Sequence, residues 1–418
     1  MYRPWWFPEY SAREQVVFDS FADILRKHFT QRNYVHIQTP AVEPVDILSR
    51  GGDVFDKQVY GLYGLAQWVE DVKDYALHFD LTIPFARYTL DHLNELTFPF
   101  KRYQMQPVRR GERQKRGRYK EFRQFDIDTI WPAQQEGGVW YDAESIIVMT
   151  KALQEVFQSM TIDGTIIVKL SNIRLIKSLL ASRNTTPDIA KQVFKILDDR
   201  YKRSWEENIS LLNACLSTDQ TTFIKTVVGT GDLSLLDEYD GYTDTKKIGE
   251  YLTAFGIERE FALPIVRWHG YYTGMVAELF IAEDMSLGAI AGGWRYEKLT
   301  DFIDPKHSFS GVWLSVSNRV MEIILQADKT EKKYTDTYFF IYFEDTLPQI
   351  LSLMKQYVDK GNQIELAPAG MKLGKQIELA DKKWCRYVIL LGAGEYKEKE
   401  YSIKDLQTTQ ITKKKLEI

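Results

Sequence analysis

Apolar residues recur at helical spacing soon after the start of the chain. Val17, Phe21, Ile24, Leu25 and Phe29 fall on one face and predict an amphipathic helix. Ser11-Ala12-Arg13-Glu14 forms a capping box at its start, hydroxyl and carboxylate each taking a free backbone donor, and Asn33 is placed to end it. A strand from Tyr34 to Gln38 follows and stops at Pro40. Residues 43–63, with Gly51-Gly52-Asp53, read as a loop. Tyr75 to Arg87 reads as a strand passing into a helix, with Leu81 or Thr82 at the cap and Pro84 in the first turn. Asp80 stands where strand becomes helix. It either caps that helix or binds an amine at the strand's mouth.

The clearest alternation lies between Pro107 and Ile130. Arg109, Arg110, Arg113, Lys115, Arg116 and Arg118 fall within ten residues. Beyond them Phe122, Gln124, Asp126 and Asp128 alternate with Arg123, Phe125, Ile127 and Thr129. A cationic loop between two β-type runs predicts a hairpin that holds a polyphosphate at its tip. Arginine suits this because its planar fork donates two parallel hydrogen bonds to a phosphate. The second strand then presents Gln124, Asp126 and Asp128 from one face. A solvated basic hairpin or a nucleic-acid patch is the plainer alternative.

Further on, Tyr141 to Ser159 has helical spacing and Ile166–Leu170 reads as a strand. From about 161 to 255 helical patterns dominate, among them Ile189–Leu197 and Ile209–Leu216, as in an inserted, mostly helical module. Strand-like runs return at Ile265–Phe280, Ala289–Leu299 and Val312–Val316, before a helix at Asn318–Leu325. Asp328 to Tyr334 is charged, lacks apolar periodicity and reads as a linker. The last part alternates: strand Tyr338–Phe343, a helical stripe from Leu347 to Val358 that Gly361 ends, strand Ile364–Leu366, helix Leu373–Lys382, strand Tyr387–Leu391. Such alternation implies a mostly parallel or mixed sheet.

Composition narrows the classes. A chain of 418 residues is long enough for two or three domains, and 44% hydrophobic with 13% aromatic content allows a large core. The net charge of −4 means that any nucleic-acid surface is local. Two cysteines far apart, Cys215 and Cys385, argue against a disulfide framework or a zinc site and fit a reducing, cytoplasmic setting. No apolar run approaches the roughly 18 residues of a membrane span, so no membrane partner is expected. GxGxxG, GxxxxGK[ST] and HExxH are missing, which disfavours a Rossmann dehydrogenase, a P-loop NTPase and a zincin.

Four stretches, in order, resemble the catalytic domain of class II aminoacyl-tRNA synthetases, and specifically the histidyl-tRNA synthetase family. ALHFDLTIPFARY is similar to its LRxDLTxPxARY. VRRGERQKRGRYKEFRQFDID is similar to motif 2. VRWHGYYTG is similar to the histidine-specific RGLxYYTG. GGWRYEKL, followed by a strand and Asn318-Arg319, resembles the GGRYDxL stretch and motif 3. KLGKQIELADKKWCRYVILLG resembles the anticodon-binding domain of the histidine-type subgroup. The resemblance implies an α+β fold: a class II antiparallel sheet of six or seven strands flanked by helices, a helical insertion and a C-terminal α/β anticodon-binding domain. The implied division is 1–160 and 256–330 for the two catalytic parts, 161–255 for the insertion and 334–418 for the anticodon-binding domain. The N-terminal helix and Pro40 stretch resemble motif 1, which implies a homodimer.

The activity so implied is ATP-dependent activation of histidine to histidyl-adenylate and transfer to the 3′ end of histidine tRNA. Positioning and charge neutralisation carry such chemistry, without a covalent enzyme nucleophile. The resemblance assigns Arg110 to the α-phosphate and the amino-acid carboxylate, and Arg267 to the α-phosphate. Glu112 contacts adenine, Phe122 stacks on it, and Arg319 reaches the γ-phosphate. Asp80, Thr82 and Gln124 meet the α-amino group. Asp128 and Tyr272 hold the imidazole nitrogens, and Tyr271 and Tyr296 close the pocket. An acid plus a tyrosine hydroxyl suits imidazole, which offers a donor and an acceptor on opposite edges. Mg²⁺ accompanies ATP, with no dedicated protein metal site. Histidine tRNA, with its extra 5′ guanosine, is met near Lys115 to Arg118.

The departures share a pattern. Tryptophan stands where the family stretches carry glycine, at Trp268, Trp294, Trp313 and Trp384, and also at Trp131 and in Trp5-Trp6. Glycine permits positive φ and close backbone approach, whereas tryptophan is the bulkiest residue. Many of the ten tryptophans are therefore read as UGA codons that mean glycine in a reassigned code. As tryptophans, Trp268 and Trp313 crowd the histidine and ATP sites. The alternative function is a catalytically impaired paralogue that senses histidine or binds RNA.

Overall fold

The computed structural model describes residues 6–49, 59–64, 74–111, 119–135, 138–198, 203–262, 265, 272–316, 319–328, 334–343 and 346–416. The chain divides into two units, Met1–Ala327 and Asp328–Ile418, at the charged stretch expected as a linker. Among the described residues no helix is long and apolar enough to cross a membrane.

The first unit carries β1 (Val35–His36), β2 (Val42–Pro44), β3 (Tyr60–Leu62), β4 (Tyr75–Leu77), β5 (Phe100–Arg109), β6 (Glu121–Pro132), β7 (Ile166–Asn172), β8 (Arg259–Phe261), β9 (Tyr272–Ile281), β10 (Ala291–Tyr296) and β11 (Phe309–Val316). β2, β4 and β3 form a small sheet, and the other eight form one large sheet in the order β1-β5-β6-β11-β10-β9-β7-β8. Only the edge pairs β1–β5 and β7–β8 run parallel. The sheet is thus mainly antiparallel and flanked by helices, as expected. It has eight strands rather than six or seven because very short strands add to both edges.

The N-terminal helix, Ala12–Gln31, starts at the expected capping box. Glu14 N donates to Ser11 Oγ at 3.3 Å, and Ser11 N donates to Glu14 Oε2 at 2.8 Å. Asn33 follows the helix with a φ of 60°, a left-handed conformation that asparagine tolerates. Phe18, Phe21, Leu25 and Phe29 meet Phe125, Ile127 and Trp131 of β6 and Ile146 and Met149 of the helix Val139–Ser159 in one core.

Two readings change. Residues 43–63 are not all loop, since β2, the helix Val45–Ser49 and β3 lie there. Elements of three to five residues are too short to show a period. The stretch 161–255 is not all helical insertion either. β7 pairs with β9 inside the large sheet, and the helix Tyr242–Ala254 puts Ile248 and Leu252 into the sheet's own core. The helices between them, Ile173–Ser182, Pro187–Asp198, Trp205–Cys215 and Thr218–Thr230, gather round Leu175, Leu179, Val193, Leu212 and Val227.

The second unit is a mixed five-stranded sheet of β12 (Thr335–Tyr342), β13 (Gln363–Leu366), β14 (Cys385–Leu391), β15 (Glu400–Asp405) and β16 (Ile411–Lys415), ordered β13-β12-β14-β15-β16. β12 is parallel to β13 and β14, as the β–α alternation predicts. The antiparallel β15–β16 hairpin follows Gly392, where the sequence pattern no longer declares elements.

Candidate active site

β5 and β6 pair without interruption from Phe100 opposite Ile130 to Arg109 opposite Glu121. The hairpin expected around the arginine-rich turn therefore exists on both sides of residues 112–118, which lie outside the described residues. Side chains alternate between faces. Tyr103, Phe125 and Ile127 enter the helix-covered core. The opposite face carries the cross-strand pairs Arg102–Asp128, Gln104–Asp126, Gln106–Gln124 and Val108–Phe122. Arg102, Gln104, Gln106, Gln124, Asp126 and Asp128 are all buried there. A strand pair with so many buried polar groups on one face is built for a polar ligand rather than for packing.

Asp128 is the best-defined group. Tyr296 OH donates to its Oδ1 at 2.8 Å, and Arg102 Nη2 stands 2.6 Å from its Oδ2 as an ion pair. Burial pushes the Asp128 carboxyl up to about 7, with Arg102 pulling it down and Asp126 and Asp80 pushing it further up. Burial and the neighbouring Asp128 hold the Tyr296 proton on well above the usual phenol range. The Tyr296 hydroxyl reaches Asp128 because Gly311 sits opposite it on β11. A Cβ at Gly311 would stand 2.7 Å from that hydroxyl oxygen.

Asp80 precedes the helix Thr82–Asp91, and its Oδ1 accepts from Ile83 N at 3.3 Å. The capping alternative is thus realised in geometry. Burial pushes Asp80 up to about 6, and Arg110 pulls it down. Arg110 directly follows the first strand of the hairpin. Its Nε donates to the Phe79 carbonyl at 3.0 Å, and its guanidinium lies 5.0 Å from the centre of the Phe122 ring. Asp80, Thr82, Arg110, Phe122, Gln124, Asp128 and Tyr296 therefore share one side of the sheet.

The other expected residues fall differently. Arg319 opens the helix Arg319–Asp328, with its Nη1 donating to the Leu287 carbonyl. Tyr272 lies on β9 opposite Tyr296, but its side chain is outside the described residues, as are Glu112, Arg267 and Tyr271. Among the described residues no group of three His, Cys, Asp or Glu side chains is placed to hold a metal ion.

Three residues of this face were not among the expected site residues. Asp126 shares the period-two phase of Gln124 and Asp128, whereas Arg102 joins that face only through the register of β5 with β6. Gly311 carries no side chain, and only the register with Tyr296 gives it meaning. Arg102 Nε and Nη1, Gln104 Oε1, Gln124 Oε1 and Asp126 Oδ1 have no hydrogen-bond partner among the described residues. Buried polar atoms left so call for a ligand that supplies partners.

The tryptophans divide into groups. Trp131 is an ordinary core residue, in tilted contact with Tyr141 at 5.1 Å between ring centres. Trp294 and Trp313 are cross-strand partners on β10 and β11, stacked at 4.8 Å and 17°, and Trp313 Nε1 donates to Asp126 Oδ2 at 2.8 Å. They fill the face that holds Asp126 and Asp128. Trp6 and Trp384 have φ of 67° and 61°. Left-handed backbone is uncommon for a residue with a Cβ and ordinary for glycine.

Comparison with known proteins agrees with this geometry. The family model described as Histidyl-tRNA synthetase matches residues 8–312, and the one described as Anticodon binding domain matches residues 331–417. The histidine–tRNA ligase of Clostridium acetobutylicum is 30% identical over 433 residues, covering 98% of this chain and 97% of that one. The histidine–tRNA ligase of a Nostoc species is 30% identical over 439 residues, covering 96% and 93%. The crystal structure of histidyl-tRNA synthetase from Nostoc superposes with a TM-score of 0.85 at 26% identity, covering 99% of this chain and 96% of that one. An ATP phosphoribosyltransferase regulatory subunit/histidyl-tRNA synthetase from Bacillus halodurans shares the fold, with a TM-score of 0.74 at 18% identity, over 90% of this chain and 96% of that one. From its first helix to its C-terminal sheet, the chain belongs to the histidyl-tRNA synthetase family.

Proposed function

We propose that this chain is a histidine–tRNA ligase, using ATP and histidine to form histidyl-adenylate and passing the histidyl group to the 3′ end of histidine tRNA. One observation carries the reading of the site. Asp128, gripped by Arg102 and Tyr296, and Arg110, fixed on the Phe79 carbonyl, share a single buried face with Asp80 and Gln124 between them. That face offers an acid for the imidazole, acceptors for the amine and a guanidinium for the carboxylate and α-phosphate.

The chemistry needs those groups in that order. A carboxylate oxygen of histidine attacks the α-phosphorus, and the bond to pyrophosphate breaks. Both reactants are anionic there, so Arg110 between them offsets their repulsion and lines them up. Arg267 and Arg319 take the α- and γ-phosphates in this reading, Glu112 contacts adenine and Phe122 stacks on it. Asp80, Thr82 and Gln124 hold the ammonium, while Asp128 and Tyr272 hold the ring nitrogens beneath Tyr271 and Tyr296. An amino acid without ring nitrogens leaves buried polar groups of this face without ligand partners, which discriminates far more strongly than a missing methylene. In the second step a terminal ribose hydroxyl attacks the histidyl carbonyl and AMP leaves. Mg²⁺ travels with ATP and neutralises phosphate charge. The enzyme works as a cytoplasmic homodimer in this reading, with residues 334–418 on the anticodon arm.

Histidine-dependent ATP–pyrophosphate exchange tests it. Exchange with histidine and not with glutamine or phenylalanine is the expected result. Binding of histidine without exchange would instead favour a sensor.

Positions 268, 294, 313 and 384, together with position 6, belong to the same proposal as glycines written UGA. The left-handed backbone at Trp6 and Trp384 and the indoles filling the substrate face support it. UGG at these positions in the gene, or peptides of tryptophan mass from the source cells, would end that part.

A further inference from the structure

Among the described residues Arg102 is the largest polar side chain that is fully buried, with 0% of its surface exposed. It is given no contact with substrate in the chemistry derived above, and it lies near the start of β5, the strand that leads into the arginine-rich turn. Its Nη2 faces Asp128 Oδ2 at 2.6 Å and also reaches the Leu81 carbonyl at 3.4 Å. Its guanidinium carbon lies 4.6 Å from the centre of the Phe85 ring. Leu81 and Phe85 flank the start of the helix that carries Asp80 and Thr82. One side chain therefore touches both ends of the substrate face, the acid for the ring and the helix start for the amine.

We infer that Arg102 is a positioning residue of the histidine site: it supplies the counter-charge for Asp128 and ties that carboxylate to the helix start bearing Asp80 and Thr82. This rests on the ligase reading of the face. A fully buried guanidinium is costly unless its charge is answered. Asp128 is the acid that faces it most closely, so the pair is retained for what it does to Asp128. The groups round Asp128 bear this out. Asp126 on its own strand and Asp80 before the helix both disfavour its charge, Tyr296 from β10 donates a hydrogen bond to it, and Arg102 from β5 is the cation that favours it most. Tyr34, behind the sheet, responds to Asp128 as well. Burial alone raises the carboxyl, and without Arg102 it would hold its proton well past neutrality. A protonated Asp128 donates where the imidazole N–H needs an acceptor. The planar fork also makes the tie rigid, so lysine at 102 restores the charge but not the span.

The test is histidine affinity by titration calorimetry from about pH 6.5 to about pH 9, in the full chain and in its W294G/W313G form. Histidine titrates in this range itself, so the readout is the ratio of Kd between variant and parent at each pH, which cancels the ligand's own protons. Arg102→Met is expected to weaken histidine about 100-fold near neutrality, with the ratio shrinking at least tenfold towards about pH 9 as Asp128 ionises unaided. Arg102→Lys is expected to stay within about tenfold of the parent across the range, with a ratio that hardly varies with pH. A ratio for Arg102→Met that is flat with pH makes Arg102 merely structural and overturns the inference, as does parent-like binding. Should Arg102→Met not fold, the R102M/D128N double variant leaves no lone buried charge and carries the test. It must then bind histidine as D128N does, within about threefold, and a further loss overturns the inference. Absence of histidine binding in both parent forms removes the ligase reading itself, whatever stands at position 102.

Discussion

The two faces of β6 obey opposite rules although their residues alternate along one strand. Phe125, Ile127 and Trp131 enter a core with Phe18, Phe21 and Met149, where apolar shape decides the fit. Gln124, Asp126 and Asp128 are just as buried, yet several of their atoms lack partners among the described residues, and the Asp126 and Asp128 carboxyls are pushed up by burial. One face is finished without a ligand and the other is not. The first stabilises the fold, and the second uses part of that stability to keep charged groups ready for a substrate.

That contrast breaks most visibly at Arg110. Arg110→Ala is expected to lower kcat/KM for histidine-dependent exchange by about 10²–10³-fold while the melting temperature hardly moves. An equal loss of stability would mean that Arg110 belongs to the fold rather than to the reaction. Next comes the pair of indoles. W294G/W313G is expected to raise exchange kcat/KM at least about tenfold over the chain as written, by clearing the face beside Asp126 and Asp128. A variant no better than its parent would show that the indoles do not obstruct it.

On the apolar face the expected loss is of stability alone. Ile127→Ala should destabilise by about 2–4 kcal/mol in denaturant melts, with kcat for exchange near that of the parent at low temperature. Raised carboxyls give a weaker, pH-dependent signature. Asp80 and Asp142 lie near 6 and Asp128 near 7, all above their ordinary range. The folded chain therefore holds protons that the unfolded chain has lost between these values and the ordinary carboxylate range. Their stabilising contribution is complete at acid pH and disappears as pH rises through 6 to 7. His78 and His36, both lowered by burial, act in the opposite sense. Calorimetric scans without substrate should show the melting temperature falling from about pH 5 to about pH 7.5, and a rise would mean that the acids are already ionised. The smallest effect is at the turn before β14. Trp384→Gly should stabilise the second unit by about 1 kcal/mol, since it removes a left-handed tryptophan.

Much of this could be read from the chain. The capping box at Ser11, the helix after Thr82, the hairpin and the linker near Asp328 all have strong local signals, because caps, turns and period two are written in neighbouring residues. The phase of Gln124, Asp126 and Asp128 placed three of the face's polar groups together. Arg102 escaped because its importance lies in a cross-strand partner 26 positions away, and register is set by the whole sheet. Gly311 escaped for the same reason. β2, β3 and the helix between them are illegible because three-residue strands carry no period, and β7 reads as part of the insertion because the chain leaves the sheet and returns to it.

The stacked indoles of Trp294 and Trp313 also have an optical consequence. Two indole rings stacked 4.8 Å apart couple strongly, and their in-plane transition dipoles can be skewed about the stacking axis. They should give an exciton couplet in circular dichroism that two isolated tryptophans lack. Protein made with UGA read as tryptophan would carry that couplet. Protein made by a cell that reads it as glycine would not, so a spectrum of the purified enzyme distinguishes the two genetic codes before any peptide is sequenced.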